Sequence, residues 1–478
     1  MGKLLSLLVV GFAMMSVTRA AAVLADRQLV GFPRKPVDPG AFQTIRLTES
    51  NGRIFTSAWW DLESLDARTA TPVPSFSLLS PLNALREFDH AAGIYRIHPA
   101  DTFVAMVGTD LRGPEDAVHP QFLLLGDRRL WPQLVATYLL GEIRDPRSSG
   151  LQLVSSVMSL GNRVFLGMYH QLPFGHPDEL TVPGGSGLVE IPFPGAPLRN
   201  LSSTNVNAYA FDDLRFVHGR LVTFLGHHPD DEGFSRRPDR LAAWEERDGR
   251  WEVVWKLPAE YRASGDGRRR EHFVGVQNDG FWVTDASEAF WDHGEPLLSW
   301  VRITDGVMRA WTNAAGHELP VGKYTGTVFK GSIVLAHLYP FVLDRVGTNA
   351  VPGIVALDPE TRTVLPWRPR EPFPSISSGG IQEMTATERY VLLNTGTELR
   401  AYAERGAVWL DPAGTTGSEL RLRLTGTQGD RVVVESSGDL RQWEEMSVRE
   451  LRTEANLDVV VPTTAEARWF RARVVESL

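Results

Sequence analysis

Seven short apolar runs recur along this chain of 478 residues, each directly after a polar turn. They are "GRIFTSAWW" at 52, "DTFVAMVG" at 101, "NRVFLGMY" at 162, "GRLVTFLG" at 219, "DGFWVTDA" at 279, "KGSIVLAHL" at 330 and "ERYVLLNTG" at 388. Anchored on Arg53, Thr102, Arg163, Arg220, Gly280, Gly331 and Arg389, the spacings are 49, 61, 57, 60, 51 and 58 residues, with a mean of 56. Runs this short and this rich in Val, Ile, Phe and Leu read as strands. A second strand precedes most of them across a tight Gly- or Asn-bearing turn, as in "DDLRFVHGRLVTFLG". A third follows ("QFLLLG", "SGLVEIPF", "GIVALDP"), and a fourth often lies beyond a charged turn, as in "WEERDGRWEVVWKL". Four strands per unit and seven units predict an all-β fold, a seven-bladed β-propeller, whose radial closure leaves few exposed edges.

The array is expected over residues 35–412. It ends at "DPAGTTGS", which reads as a Pro/Gly/Thr/Ser linker. Beyond it "ELRLRLTG", "RVVVESS", "LDVVVP" and "RWFRARVV" predict a small C-terminal antiparallel β-sandwich over residues 418–478, with Trp443, Trp469 and Phe470 at least partly in its core. Residues 1–22 read as a signal peptide: Lys3, then "LLSLLVVGFAMM", then small residues at Ala20–Ala22. No later apolar run approaches the ~20 residues of a membrane span. With no cysteine in the chain, disulfides and thiolate-held metals are excluded. These features predict a secreted or periplasmic, that is extracytoplasmic, protein. The net charge of −9 argues against nucleic acid, which needs a basic stripe, and "RRR" at 268–270 sits in a Gly/Asp/Glu turn.

Two stretches carry resemblances. "VVVESSGDLRQWEEM" followed by "RWFRARV" resembles a carboxy-terminal β-sandwich module of exported Planctomycetes and Verrucomicrobia proteins, which implies export. "ALDPETRTVLPW" at 356–367 resembles the quinoprotein-like propeller repeat, with Asp358, Thr361 and Trp367 in the motif's positions and Arg362 where it has glycine. As only one unit shows the motif, no cofactor is expected from it. Asp358 and Thr361 are expected to bond turn backbone. The tryptophans Trp59, Trp60, Trp255, Trp282, Trp300 and Trp311 are expected to pack between blades.

Function is expected where the chain leaves the second strand of each unit. Those stretches (58–74, 108–121, 168–187, 226–240, 284–296, 336–353 and 394–398) hold seven of the twelve histidines in about a fifth of the chain. The first strongly polar residue past each run is Asp61, Asp110, His170, His227, Asp285, His337 or Asn394, and "GHHPDDEG" adds His228. Equivalent positions of a cyclic repeat form a ring, so these residues are the ligand-binding candidates. Neutral imidazoles with carboxylates suit zinc or manganese, which makes His170, His227 and His337 candidate ligands for a divalent metal. The same side chains also suit strand-ending turns. HExxH, GxSxG, phosphate-loop and dinucleotide motifs are absent. The expectation is a binding protein for a glycan or protein ligand. The alternative is a metal-assisted extracytoplasmic polysaccharide lyase or hydrolase with His170, His227, Asp285 and His337 as its working groups; whether the chain is an enzyme stays open.

Overall fold

The computed structural model describes residues 24–25, 47–50, 53–58, 61–66, 68, 72–77, 92–99, 103–110, 118–127, 134–144, 154–168, 187–201, 206, 210–226, 239–258, 271–285, 298–316, 324–337, 354–365, 383–394, 399–404, 407–416, 419–426, 430–451, 456–462 and 469–476. Among them are seven four-stranded antiparallel sheets and two three-stranded ones. Sheet one comprises Leu47–Ser50, Arg53–Ala58, Asp61–Asp66 and Pro72–Ser77. Sheet two comprises Ala92–Pro99, Phe103–Asp110, Val118–Asp127 and Leu134–Arg144. Sheet three comprises Val154–Leu160, Arg163–Met168, Leu188–Ile191 and Arg199–Asn200. Sheet four comprises Ala210–Val217, Arg220–Gly226, Asp239–Arg247 and Arg250–Pro258. Sheet five comprises Glu271–Gln277, Gly280–Asp285, Leu298–Arg302 and Met308–Ala310. Sheet six comprises Tyr324–Phe329, Ser332–His337, Ile354–Asp358 and Thr363–Leu365. Sheet seven comprises Glu383–Ala386, Val391–Asn394 and Leu399–Glu404.

The seven apolar runs are the second strands of the seven sheets. The first strands touch in a cycle, one against two and onward to seven against one, so they are innermost and the array is a β-propeller. The fourth strand of sheet seven comes from the far end of the chain: Leu24–Ala25 pairs antiparallel with Leu399–Glu404, Leu24 opposite Glu404 and Ala25 opposite Ala403. That closing strand is too short to announce itself in the sequence.

Burial explains why the second strands read so clearly. Both of their faces are covered by neighbouring sheets, so Val164–Met168, Leu221–Leu225 and Ile333–Ala336 are buried without alternation. The core is a set of layers between sheets rather than one interior. Leu123, Leu125, Val164 and Leu166 fill the layer between sheets two and three. Phe165, Phe211 and Trp244 serve three and four, and Trp255, Phe281 and Val301 serve four and five. Trp282, Trp311 and Ile333 serve five and six, and Val334, Val391 and Tyr402 serve six and seven. Trp255, Trp282 and Trp311 thus pack between sheets, while Trp59 and Trp60 lie outside the described residues.

Polar side chains fasten the layers at the ends where the second strands begin. Arg163 bonds the buried Glu190 of its own sheet and reaches Glu246 of sheet four at 2.7 Å, with its guanidinium 5.2 Å from the Trp251 ring. Burial opposes its charge, yet the two carboxylates hold its pKa above the ordinary arginine value. Arg220 likewise donates to the carbonyls of Ile303 and Thr304 in sheet five. Arg163 and Arg220 are therefore fasteners between sheets.

The turn "ALDPETRT" explains its own motif. Asp358 Oδ1 accepts from the Glu360 and Thr361 amides at 2.8 and 3.3 Å, as expected of a turn-bonding carboxylate. Arg362, where the motif has glycine, sits at φ 56°, a left-handed conformation that glycine adopts without strain. Trp367 lies outside the described residues.

Residues 409–476 form the two three-stranded sheets. One orders Trp409–Thr416, Glu419–Thr425 and Asn456–Pro462, the other Glu444–Glu450, Arg431–Ser437 and Trp469–Glu476. They share a core of Leu422, Leu424, Val432, Val434, Val459 and Val461, joined by Phe470. Three expectations are corrected. Most of the stretch read as a linker is the strand Trp409–Thr416, whose Pro and Gly residues sit on an exposed half where they break no core packing. Trp469 stands 44% exposed, because its neighbour Phe470 takes the inward position of the alternating strand. Finally, 58–74 is not a loop: it contains the third strand of sheet one.

Arg389 joins the tail to the ring. Its two Nη groups donate to both oxygens of Asp411 at 2.5 and 2.7 Å, and Nη1 also reaches the Arg68 carbonyl of sheet one's third connection at 3.3 Å. The guanidinium lies over Trp409, which tilts against the buried Tyr390.

Two stability outcomes follow from these contacts. Arg362→Gly relieves a left-handed arginine and should raise stability by about 0.5–1 kcal/mol in urea unfolding, once glycine's greater unfolded-state entropy is subtracted. Arg389→Gln should lower it by about 2 kcal/mol, less than a fully buried pair because both partners keep some solvent contact. An unchanged midpoint for the second variant would mean that the junction contributes nothing.

Candidate functional site

Of the seven ring residues read from the sequence, four lie at the ends of second strands. Asp110, Asp285, His337 and Asn394 are each the last residue of a second strand, in sheets two, five, six and seven. Asp61 opens the third strand of sheet one, paired with Ala58, so it lies across the connection rather than at the strand's end. His170, His227 and His228 lie outside the described residues. So do most of the connections after the second strands, and with them the other loop histidines except His119, which lies in the third strand of sheet two.

Counted along the sequence from the hairpin, the candidates fall at two different offsets. Asp285 and His337 each lie five residues beyond the first paired residue of the second strand, Gly280 and Ser332. His170 and His227 lie seven beyond Arg163 and Arg220.

Register adds residues that the sequence alone did not single out. Asp285 is directly opposite Glu271, His337 opposite Tyr324 and Asn394 opposite Glu383. Glu271, Tyr324 and Glu383 open the innermost strands of sheets five, six and seven, nearer the axis than the ring itself. The corresponding openings in sheets one to four are Leu47, Ala92, Val154 and Ala210. The inner rim at this end therefore divides into an apolar arc over four sheets and a polar arc over three. A sequence signal existed, because Glu, Tyr and Glu each begin an apolar strand, but only pairing shows that each faces a ring residue.

Bulges break the innermost strands close to the same end. The register slips at Tyr95, at Ser155, at Asp213–Leu214 and at Val274 in sheets two to five. An inserted residue bends a strand and re-aims its side chains, and such insertions concentrate beside functional sites. At Asp213 the slip is held locally: its φ is 42° and its carboxylate bonds Arg215 at 2.7 Å. Arg215 in turn lies 5.0 Å from the Phe273 ring of sheet five.

The polar arc offers carboxylates, an imidazole, a phenol and an amide on three consecutive sheets. That set can accept hydrogen bonds from hydroxyls or amides and can supply oxygen and nitrogen ligands to a divalent ion. Among the described residues no three His, Asp or Glu side chains are grouped to hold a metal. Also among them, no helix is long and apolar enough to cross a membrane.

No family model matches the chain, and no curated protein matches it. Among solved structures it is similar to Hsv2p of Kluyveromyces lactis, at 9% identity and a TM-score of 0.37 over 85% of this chain and 98% of that one. A chain of a mitotic checkpoint complex gives 9% and 0.37 over 77% and 94%, and the AfRom2 CNH domain gives 8% and 0.32 over 71% and 92%. The propeller assignment rests on the chain's own seven sheets and the cycle of contacts between their first strands.

Proposed function

We propose that the chain is an exported binding protein. In this reading a seven-bladed propeller holds a glycan or a protein segment on the face where its second strands end, and a C-terminal sandwich module folds as a unit of its own. The observation that carries the reading is the asymmetry of the inner rim. A cyclic scaffold needs no polar arc: Leu47, Ala92, Val154 and Ala210 serve that position in four sheets, whereas Glu271, Tyr324 and Glu383 take it in the other three. The polar residues also face Asp285, His337 and Asn394 in register, which supports one ligand surface across sheets five to seven. Export rests on the leader-like residues 1–22, and the closing strand Leu24–Ala25 begins just beyond them.

The test is binding by a chain lacking residues 1–22, screened against a panel of polysaccharides and extracellular proteins. Replacing Glu271 by Gln together with His337 by Ala should weaken the captured ligand about tenfold or more. The melt should stay within about 0.5 kcal/mol of the parent. Binding that survives both changes would move the site elsewhere. Breakdown of a polysaccharide together with one equivalent of bound zinc or manganese would favour the lyase or hydrolase alternative.

A further inference from the structure

The outward face of the tail's second sheet carries two arginines held by one buried carboxylate. In its edge strand Trp469–Glu476, Phe470, Ala472 and Val474 pack into the shared core. The alternate residues face out: Trp469 and Val475 are 44% and 48% exposed, and the Arg471 and Arg473 side chains 46% and 49%. Beneath the two arginines lies Glu435 of the central strand, its side chain only 8% exposed. Arg471 Nε donates to Glu435 Oε2 at 2.6 Å and Arg473 Nε to Oε1 at 3.0 Å. Arg471 also stacks over Trp443 at 4.1 Å from the ring centroid.

One buried carboxylate therefore positions two guanidiniums by their Nε atoms, and the stack fixes the plane of one. Among the described residues neither guanidinium makes another hydrogen bond, so within that set the terminal Nη groups of both arginines are left to donate outward. Two cations share one anion. Glu445, opposite Glu435 in the register on the far strand, forms no ion pair with either arginine, so the excess positive charge lies on the Trp469–Arg473 side.

We propose that the stripe Trp469–Arg471–Arg473 binds an acidic polysaccharide, a sugar ring against the Trp469 indole and its carboxylate or sulfate on the free Nη donors. Guanidinium forks match planar or tetrahedral oxyanions with two parallel bonds, and prior fixing by Glu435 reduces the ordering cost of binding. Successive outward residues of a strand lie ~6.6 Å apart, the scale of one sugar ring and the acid group beside it. An acidic peptide is the less suitable occupant. A peptide of acidic residues offers carboxylates to the guanidiniums but no sugar ring to lie against the Trp469 indole.

The test uses the full chain in affinity electrophoresis through gels holding polygalacturonate, dextran sulfate or uncharged dextran, with poly-glutamate as a soluble competitor. Retardation is expected in one or both charged gels, and the comparison between them identifies the acid group. Little retardation is expected in plain dextran. Salt should weaken the effect. Arg473→Gln and Trp469→Ala should each weaken it about tenfold, equivalent to about 1.4 kcal/mol, while Glu271→Gln with His337→Ala leaves it intact. An unchanged melt of each variant shows that the loss is not unfolding. Absence of retardation in both charged gels overturns the proposal. So does retardation that Arg473→Gln and Trp469→Ala leave unaltered, or that poly-glutamate abolishes regardless of Trp469.

Discussion

Every sheet in the ring depends on a neighbour to cover its faces, and the dependence ends only when the last sheet meets the first. The innermost strands of sheets seven and one do touch, which removes the two open faces that a row of sheets would leave to water. The closing hydrogen bonds are few, since Leu24–Ala25 contributes a strand of two residues. Arg389 reinforces the same seam by spanning sheet seven, the Arg68 carbonyl of sheet one and Asp411 of the tail. One side chain at this seam thus links sheet seven, sheet one and the tail.

Elsewhere the sheets are joined by a division of labour along each second strand. The buried middle supplies apolar area, and the polar ends supply direction. At the end where the strands begin, Arg163 and Arg220 reach carboxylates or carbonyls of the next sheet. Gln277 takes over where sheet five has Gly280, donating to the Gly331 carbonyl of sheet six at 3.0 Å. With that end committed to holding sheets together, the opposite end is free to vary, and the polar arc of sheets five to seven lies there.

Much of this was legible in the sequence for one physical reason. A strand buried on both faces reads as a short apolar run, which is how the second strands and Arg431–Ser437 stood out, whereas Glu419–Thr425 showed through its alternation. What escaped was either too short or too exposed to leave such a run: Leu24–Ala25, and Trp409–Thr416, whose second half is solvent-exposed. The candidate ring was legible as residue types, but its partners were not. Pairing of Asp285 with Glu271 depends on a bulge at Val274 that shifts the register by one residue, and no pattern of hydrophobicity records such a shift. The arginines at the anchors were visible as a repeat, yet their role needed the neighbouring sheet. The Glu435 clamp was hidden similarly, since Arg471 and Arg473 meet it only through strand pairing.

Closure of the ring between its first and last sheets is the claim on which both the rim and the tail junction rest. A chain without cysteine allows two labels to be placed without background. Spin labels at Glu49→Cys and Thr385→Cys, on the innermost strands of sheets one and seven, test it by dipolar spectroscopy. A closed ring predicts a short and narrow distance distribution between these sites, which lie far apart in sequence. A long or broad distribution, in protein whose melt matches the parent, would contradict closure.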